Sequence, residues 1–184
     1  MKKSTAYFLF FFLFLTSHLK AQEGTEYSFQ PDKFSIGLGI GQDYGGFGGH
    51  AIVYPQQIIG LFAGLGYNLA GFGYNVGLKL RLVSQKPTTK VNPYAVLMYG
   101  YTAAIMIKDA SQYDKIFYGP AIGFGIDLKS NPSSKIYYSF GINFPVRGTE
   151  VDDYMADLKK NHGVVFKNDL FPITFSLGFK YILN

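Results

Sequence analysis

Between Gly71 and Leu82 the chain alternates without a break. Phe72, Tyr74, Val76, Leu78, Leu80 and Leu82 fall on one side, and Gly73, Asn75, Gly77, Lys79 and Arg81 on the other. Side chains repeat with period two along a β-strand, so the run predicts a strand with one bulky face and one small or polar face. Seven further runs predict strands. Phe34, Ile36, Leu38 and Ile40 oppose Ser35, Gly37 and Gly39; Ile59, Leu61, Ala63, Leu65 and Tyr67 share a face. Phe124, Ile126 and Leu128 oppose Gly123, Gly125, Asp127 and Lys129; Ile136, Tyr138, Phe140, Ile142 and Phe144 oppose Tyr137, Ser139, Gly141 and Asn143. Phe175, Leu177, Phe179 and Tyr181 oppose Thr174, Ser176, Gly178 and Lys180. The run Gly46–Pro55 alternates weakly, and the run from Pro93 is apolar on both faces, which leaves its sides open.

Turn chemistry separates the runs: "PQQ" at 55–57, "QKPTTKVN" at 85–92 and "NPSS" at 131–134, alternating with "QDYGG", a tight corner at Ala70–Gly71, "KDASQYDK" and the long stretch 147–172. That last connection predicts a short helix. Thr149 is placed to cap it, Gly163 to stop it, and Val151, Tyr154, Met155 and Leu158 to form one apolar face. Asp152, Asp153, Asp157, Lys159 and Lys160 then stay in water as an external loop surface.

Eight antiparallel strands of about ten residues suit a soluble barrel around a ligand or a membrane barrel. An eight-stranded barrel has an interior just wide enough for ordinary side chains. The bulky face holds too many large groups to fit inside. The opposite face, rich in Gly, Ser and Asn, would make a poor exposed sheet. Both difficulties disappear if the bulky face points outward into lipid, where a closed barrel leaves no backbone group unpaired. The expected fold is therefore all-β: an eight-stranded antiparallel up-and-down transmembrane β-barrel with one long external loop. Its lumen is expected to be filled by small and polar residues.

Composition agrees. Apolar residues make up 48% and aromatics 18% of 184 residues, and the 22 glycines lie inside the apolar runs. With no Cys there is no disulfide, thiol nucleophile or lipoprotein anchor. Lys2 and Lys3 precede an apolar stretch, Ala6 to Ser17, and the small Ala21; this reads as a secretory leader over 1–21, too short for a membrane helix. A polar lead-in covers 22–33, and the barrel domain 34–184. The net charge of +5 loses Lys2, Lys3 and Lys20 with the leader. Fourteen basic against twelve acidic residues remain, which makes no case for a nucleic-acid partner.

The leader ending "AQ", the Gly-aromatic strands and the terminal run "FPITFSLGFKYILN" resemble the small outer-membrane β-barrel proteins of Gram-negative bacteria, of the OmpA/OmpX kind. The resemblance is architectural and covers residues 34–184. It implies an outer-membrane location, both termini in the periplasm, and long loops outside. It also implies outer-membrane lipid, lipopolysaccharide and the barrel assembly machinery as partners, with an unknown surface ligand besides. Such barrels commonly end on an aromatic residue, whereas this chain ends on Asn184, so Tyr181 and Phe179 are expected to serve in recognition.

In that orientation Lys79, Arg81, Asp127, Lys129, Lys135 and Lys180 form a lumen charge cluster near the periplasmic ends of their strands. It is either a paired polar plug or an anion site at the periplasmic mouth. Acids gather outside: Asp43, Asp109, Asp114, Glu150, Asp152, Asp153, Asp157 and Asp169, as a solvated surface or as ligands for divalent cations bridging to lipopolysaccharide phosphate. After the leader only His50 and His162 remain, with no G-x-S-x-G, metal-ligand cluster or phosphate loop. The expectation is a non-enzymatic surface barrel without cofactors. A lipid-acyl-modifying barrel enzyme, a small pore and a soluble ligand carrier stand behind it.

Overall fold

Each alternating run becomes a strand, and the register carries the alternation around a closed ring. The computed structural model describes residues 31–68, 70–107, 110–166 and 170–183. The strands are β1 (Phe34–Gly41), β2 (Gly46–Gln56), β3 (Ile59–Asn68), β4 (Gly71–Arg81), β5 (Val91–Ile105), β6 (Lys115–Lys129), β7 (Ile136–Pro145) and β8 (Thr174–Ile182). Each pairs antiparallel with the next, and β1 pairs with β8 to close the barrel. The leader, the lead-in up to residue 30, Asp109 and Asp169 lie outside the described residues.

The bulky face points outward. Phe72, Tyr74, Val76, Leu78 and Leu80 are all exposed, while Asn75, Lys79 and Arg81 between them are buried. The same division holds for Phe124 and Ile126 against Asp127. The two ambiguous runs also resolve. In β2, His50, Ile52 and Tyr54 face inward; in β5, Tyr94, Val96 and Met98 do. The lumen is thus not filled by small and polar residues alone. Ile52, Tyr54, Phe62, Tyr94, Val96, Met98 and Ala121 form an apolar layer within it. A barrel this narrow must fill its axis to approach close packing, and small residues on every strand supply too little volume to do so.

The "QDYGG" connection is not an external loop. Gln42–Tyr44 form a 3₁₀ turn whose three residues are buried inside the barrel mouth. Asp43 therefore leaves the group of external acids. Gly45, at φ 71°, and Gly46, at φ 111°, reverse the chain where a side chain would strain the backbone. Glycines on the surrounding strands make the socket: a Cβ at Gly64 would meet the Asp43 carbonyl, and one at Gly178 or Gly39 would meet the Tyr44 ring.

β5 and β6 run to 15 residues each, longer than the expected ten. β4 pairs with β5 only up to Gly100, and β7 with β6 only up to Ala121, so the tip of the β5–β6 hairpin projects past its neighbours. The helix α1 (Thr149–His162) packs against this projection. Its N-cap is Gly148 rather than Thr149, which is the first helical residue and makes no side-chain capping bond. Gly163 does end it, at φ 65°, with the Gly163 and Val164 amides both donating to the Leu158 carbonyl.

Candidate functional site

Two regions carry chemistry: the charged lumen and the hairpin–helix projection. In the lumen, β4 supplies Lys79 and Arg81 at successive inward positions. Lys79 sits opposite Val96 of β5, whose neighbour Tyr94 lies under the ammonium, 3.6 Å from Nζ to the ring centre. Lys79 Nζ meets both oxygens of Asp127, at 2.8 and 2.7 Å. Ser139 donates to the same carboxylate at 2.5 Å. The pair is buried and doubly hydrogen-bonded, the condition under which a buried ion pair is tolerated.

The second pair uses a residue that the strand pattern does not reveal. Asp32, in the lead-in, is buried at the end of the barrel where β4 and β6 finish. Its Oδ2 accepts from Arg81 at 2.9 Å and from Gln85 at 2.7 Å, and its Oδ1 from Lys129 at 3.2 Å. Its amide donates to Gln85 Oε1 at 3.1 Å. Arg81 also lies over the Tyr54 ring, 3.5 Å from its centre, and donates to the Gln57 carbonyl. Asp32 thus clamps three segments at the mouth. The lead-in is part of the barrel's closure from at least this residue on.

The expected lumen cluster is therefore partly assembled. Lys79, Arg81, Asp127, Lys129 and Lys180 are drawn together inside, but Lys135 is not: it is exposed in the turn just before β7. Its parity matched the inward face, yet the β7 ladder begins at Ile136, so Lys135 clears the rim. Lys180 lies 5.6 Å from the centre of the Tyr44 ring.

In the projection, Val151, Met155 and Leu158 of α1 bury against Ala103, Ile105 and Phe117, with Tyr113, Tyr154, Phe166 and Leu170 half-buried around them. Tyr154 donates to the Tyr113 carbonyl at 2.8 Å, and Tyr113 Oη pairs with His162 Nδ1 at 3.1 Å. Arg147 ties the start of the helix to the hairpin through the Thr102 carbonyl at 3.2 Å. Burial lowers the Arg147 guanidinium, opposed by Asp152, and raises the Tyr154 phenol, helped by Asp157 and Asp114. Asp152, Asp153, Asp157, Lys159 and Lys160 are exposed, as the helical spacing predicts. Among the described residues no group of three or more acids and histidines is placed to hold a metal ion.

No family model matches the chain. No curated protein matches it either. Among solved structures it is similar to the N-terminal β-barrel domain of Pseudomonas aeruginosa OprF, with 12% identity, 82% of this chain and 97% of that one covered, and a TM-score of 0.47. A likeness at this level assigns no residue a role.

Proposed function

We propose that the chain is an integral outer-membrane β-barrel without enzymatic activity, acting in envelope structure or surface binding through the β5–β6 projection and α1. The observation that carries this reading is the inversion of the barrel. Large apolar side chains cover its outside, and its buried charges are inside, where Lys79, Arg81 and Lys129 pair with Asp127 and Asp32. A water-soluble barrel with that exterior would expose an apolar patch far beyond the few hundred Å² that soluble monomers carry. A bilayer solvates the same surface, and ring closure leaves no strand edge in it.

The interior supports a sealed barrel rather than a pore. The apolar layer and the Gln42–Tyr44 turn occupy the axis, and eight strands leave little room beyond side chains. The acyl-modifying reading has little to stand on. The His50 ring stacks on Phe62 deep in the lumen, and the His162 ring nitrogen pairs with a tyrosine. Nucleophilic catalysis needs a base next to an activated Ser, Thr or Cys. The reading is tested by producing the chain in a Gram-negative host and comparing membrane fractions. A heat-modifiable species in the outer membrane, with an unchanged lipid A mass spectrum, is expected. A soluble periplasmic protein overturns the membrane reading, and a new acyl form of lipid A overturns the non-enzymatic one.

A further inference from the structure

The two ends of the barrel differ in charge. Strands β1, β3, β5 and β7 start at the end that carries the short turns, and α1 stands at the other. At the turn end Lys33, Lys86, Lys90 and Lys135 are exposed. The acids nearest to them, Asp32 and Asp127, are buried in ion pairs, so among the described residues this end exposes no carboxylate. The helix end mixes its signs: Glu150, Asp152, Asp153 and Asp157 stand exposed with Lys115, Lys159 and Lys160.

Three of these lysines share one placement. Lys33, Lys90 and Lys135 each come immediately before the first residue of a strand: Phe34 of β1, Val91 of β5 and Ile136 of β7. Each of those first residues is apolar and exposed on the outward face. The carbonyl of each lysine accepts a bond from the neighbouring strand, Lys33 from the Tyr54 amide at 2.7 Å, Lys90 from Lys129 at 2.8 Å and Lys135 from Ile182 at 2.8 Å. The last rung of the ladder thus fixes the backbone while the side chain clears the wall. A lysine stem can lie along apolar surface and carry its ammonium to the water boundary. Lys86 joins them from the β4–β5 connection, where its amide donates to Thr89 Oγ1 at 2.9 Å. Lys129 does not, because its ammonium pairs with Asp32.

We propose that this rim binds the phosphate groups of anionic phospholipids and gathers such lipids around the turn end of the barrel, an inference that rests on the membrane reading above. The sign of the exposed charge selects an anion. Its distribution selects lipid. The lysines are spread around the rim, from β1 through β7 to β5, and do not converge on a cleft that one polyanion or one soluble ligand would fill. Each strand-start lysine instead stands next to an outward apolar side chain. A lipid whose acyl chain lies on Phe34, Val91 or Ile136 brings its own phosphate to the adjoining ammonium. One lysine near an anionic surface is worth about fivefold in local enrichment. The β2–β3 turn, Pro55 to Gln57, carries no charge and leaves a gap in the ring.

The test uses the full chain refolded into vesicles of equimolar phosphatidylglycerol and phosphatidylcholine. Leu82→Trp is the reporter: Leu82 is exposed at the rim, its amide donates to the Pro93 carbonyl, and the chain has no tryptophan of its own. Bromine is carried near the head of the acyl chains, first on one lipid and then on the other, and the ratio of quenching gives the relative occupancy beside the rim. Phosphatidylglycerol should be favoured about fivefold with the lysines intact. The preference should vanish when Lys33→Gln, Lys86→Gln, Lys90→Gln and Lys135→Gln are combined. If that variant fails to fold, Lys86→Gln with Lys90→Gln, nearest the reporter, should lower the preference at least about twofold. Phe47→Trp, exposed at the helix end, should show none. Equal quenching by the two lipids at Leu82→Trp, a preference that survives the Gln variants, or the same preference at Phe47→Trp would each overturn the proposal. So would a preference abolished by inorganic phosphate at constant ionic strength, which would make the rim a site for free phosphate. A Leu82→Trp reporter quenched by neither lipid would instead overturn the membrane reading itself.

Discussion

Replacing Asp32 by Asn should destabilise the barrel far more than a substitution outside the strands ordinarily does. Asp32 holds two cations, Arg81 at 2.9 Å and Lys129 at 3.2 Å, with side chains 1% and 8% exposed. Removing one partner of a buried ion pair costs about 3–5 kcal/mol, because the other charge stays buried and uncompensated. Arg81 keeps the Tyr54 ring and the Gln57 carbonyl, which places the cost near the lower end. Three kcal/mol is a little over a hundredfold in the unfolding equilibrium, since 1.4 kcal/mol is about tenfold. The assay is urea unfolding of the chain refolded into lipid vesicles, read as a shift in midpoint at unchanged slope. A triple variant, Asp32→Asn with Arg81→Met and Lys129→Met, should recover much of the loss, because well-packed apolar groups can replace a buried ion triad at little cost. If Asp32→Asn unfolds within about 0.5 kcal/mol of the wild type, the usual range for surface changes, the clamp at the mouth is not structural.

Three further outcomes are expected. Gly178→Ala drives a methyl into the Tyr44 ring and should cost about 1–3 kcal/mol by overpacking, with much of it recovered when Tyr44→Ala is added; no recovery would mean that the socket is not what the glycine serves. Exchanging Glu150–Asn161 for a short Gly-Ser linker should leave a folded, heat-modifiable barrel, because α1 packs on the projecting hairpin and not on the closed ladder; loss of insertion would make the helix part of the core. Purified protein in planar bilayers should show no large steady conductance, and a stable open channel would contradict the filled lumen.

Strand phase was legible because period two survives wherever one face is bulky. It failed to show in β2 and β5 for a physical reason. Both strands feed Ile52, Tyr54, Tyr94, Val96 and Met98 into the apolar layer of the lumen, so neither face is polar. The buried turn was illegible because Gln42 and Asp43 have the composition of any exposed hairpin. Its signal lay elsewhere, in glycines at 39, 64 and 178 that occupy inward positions and leave a shaped void. Asp32 was hidden by belonging to no strand, although five cations expected on the inward face against one carboxylate already implied missing acids. Lys135 shows the opposite failure: parity is meaningful only where a ladder exists, and β7 starts one residue later. The apolar face of α1 was readable at helical spacing, but not that it would pack against Ala103, Ile105 and Phe117, because nothing in the sequence shows how far β5 and β6 outrun their neighbours.

The central claim is that the bulky face meets lipid and the polar face does not. The chain has no tryptophan, so a single introduced one reports alone. Leu78→Trp places it on the outward face of β4, and Phe62→Trp on the inward face of β3. Each variant is refolded into vesicles whose lipids carry brominated acyl chains, and folding is checked by the heat shift on gels. The account predicts blue-shifted emission strongly quenched by bromine for Leu78→Trp and much weaker quenching for Phe62→Trp. Equal quenching, or quenching confined to Phe62→Trp, would contradict it.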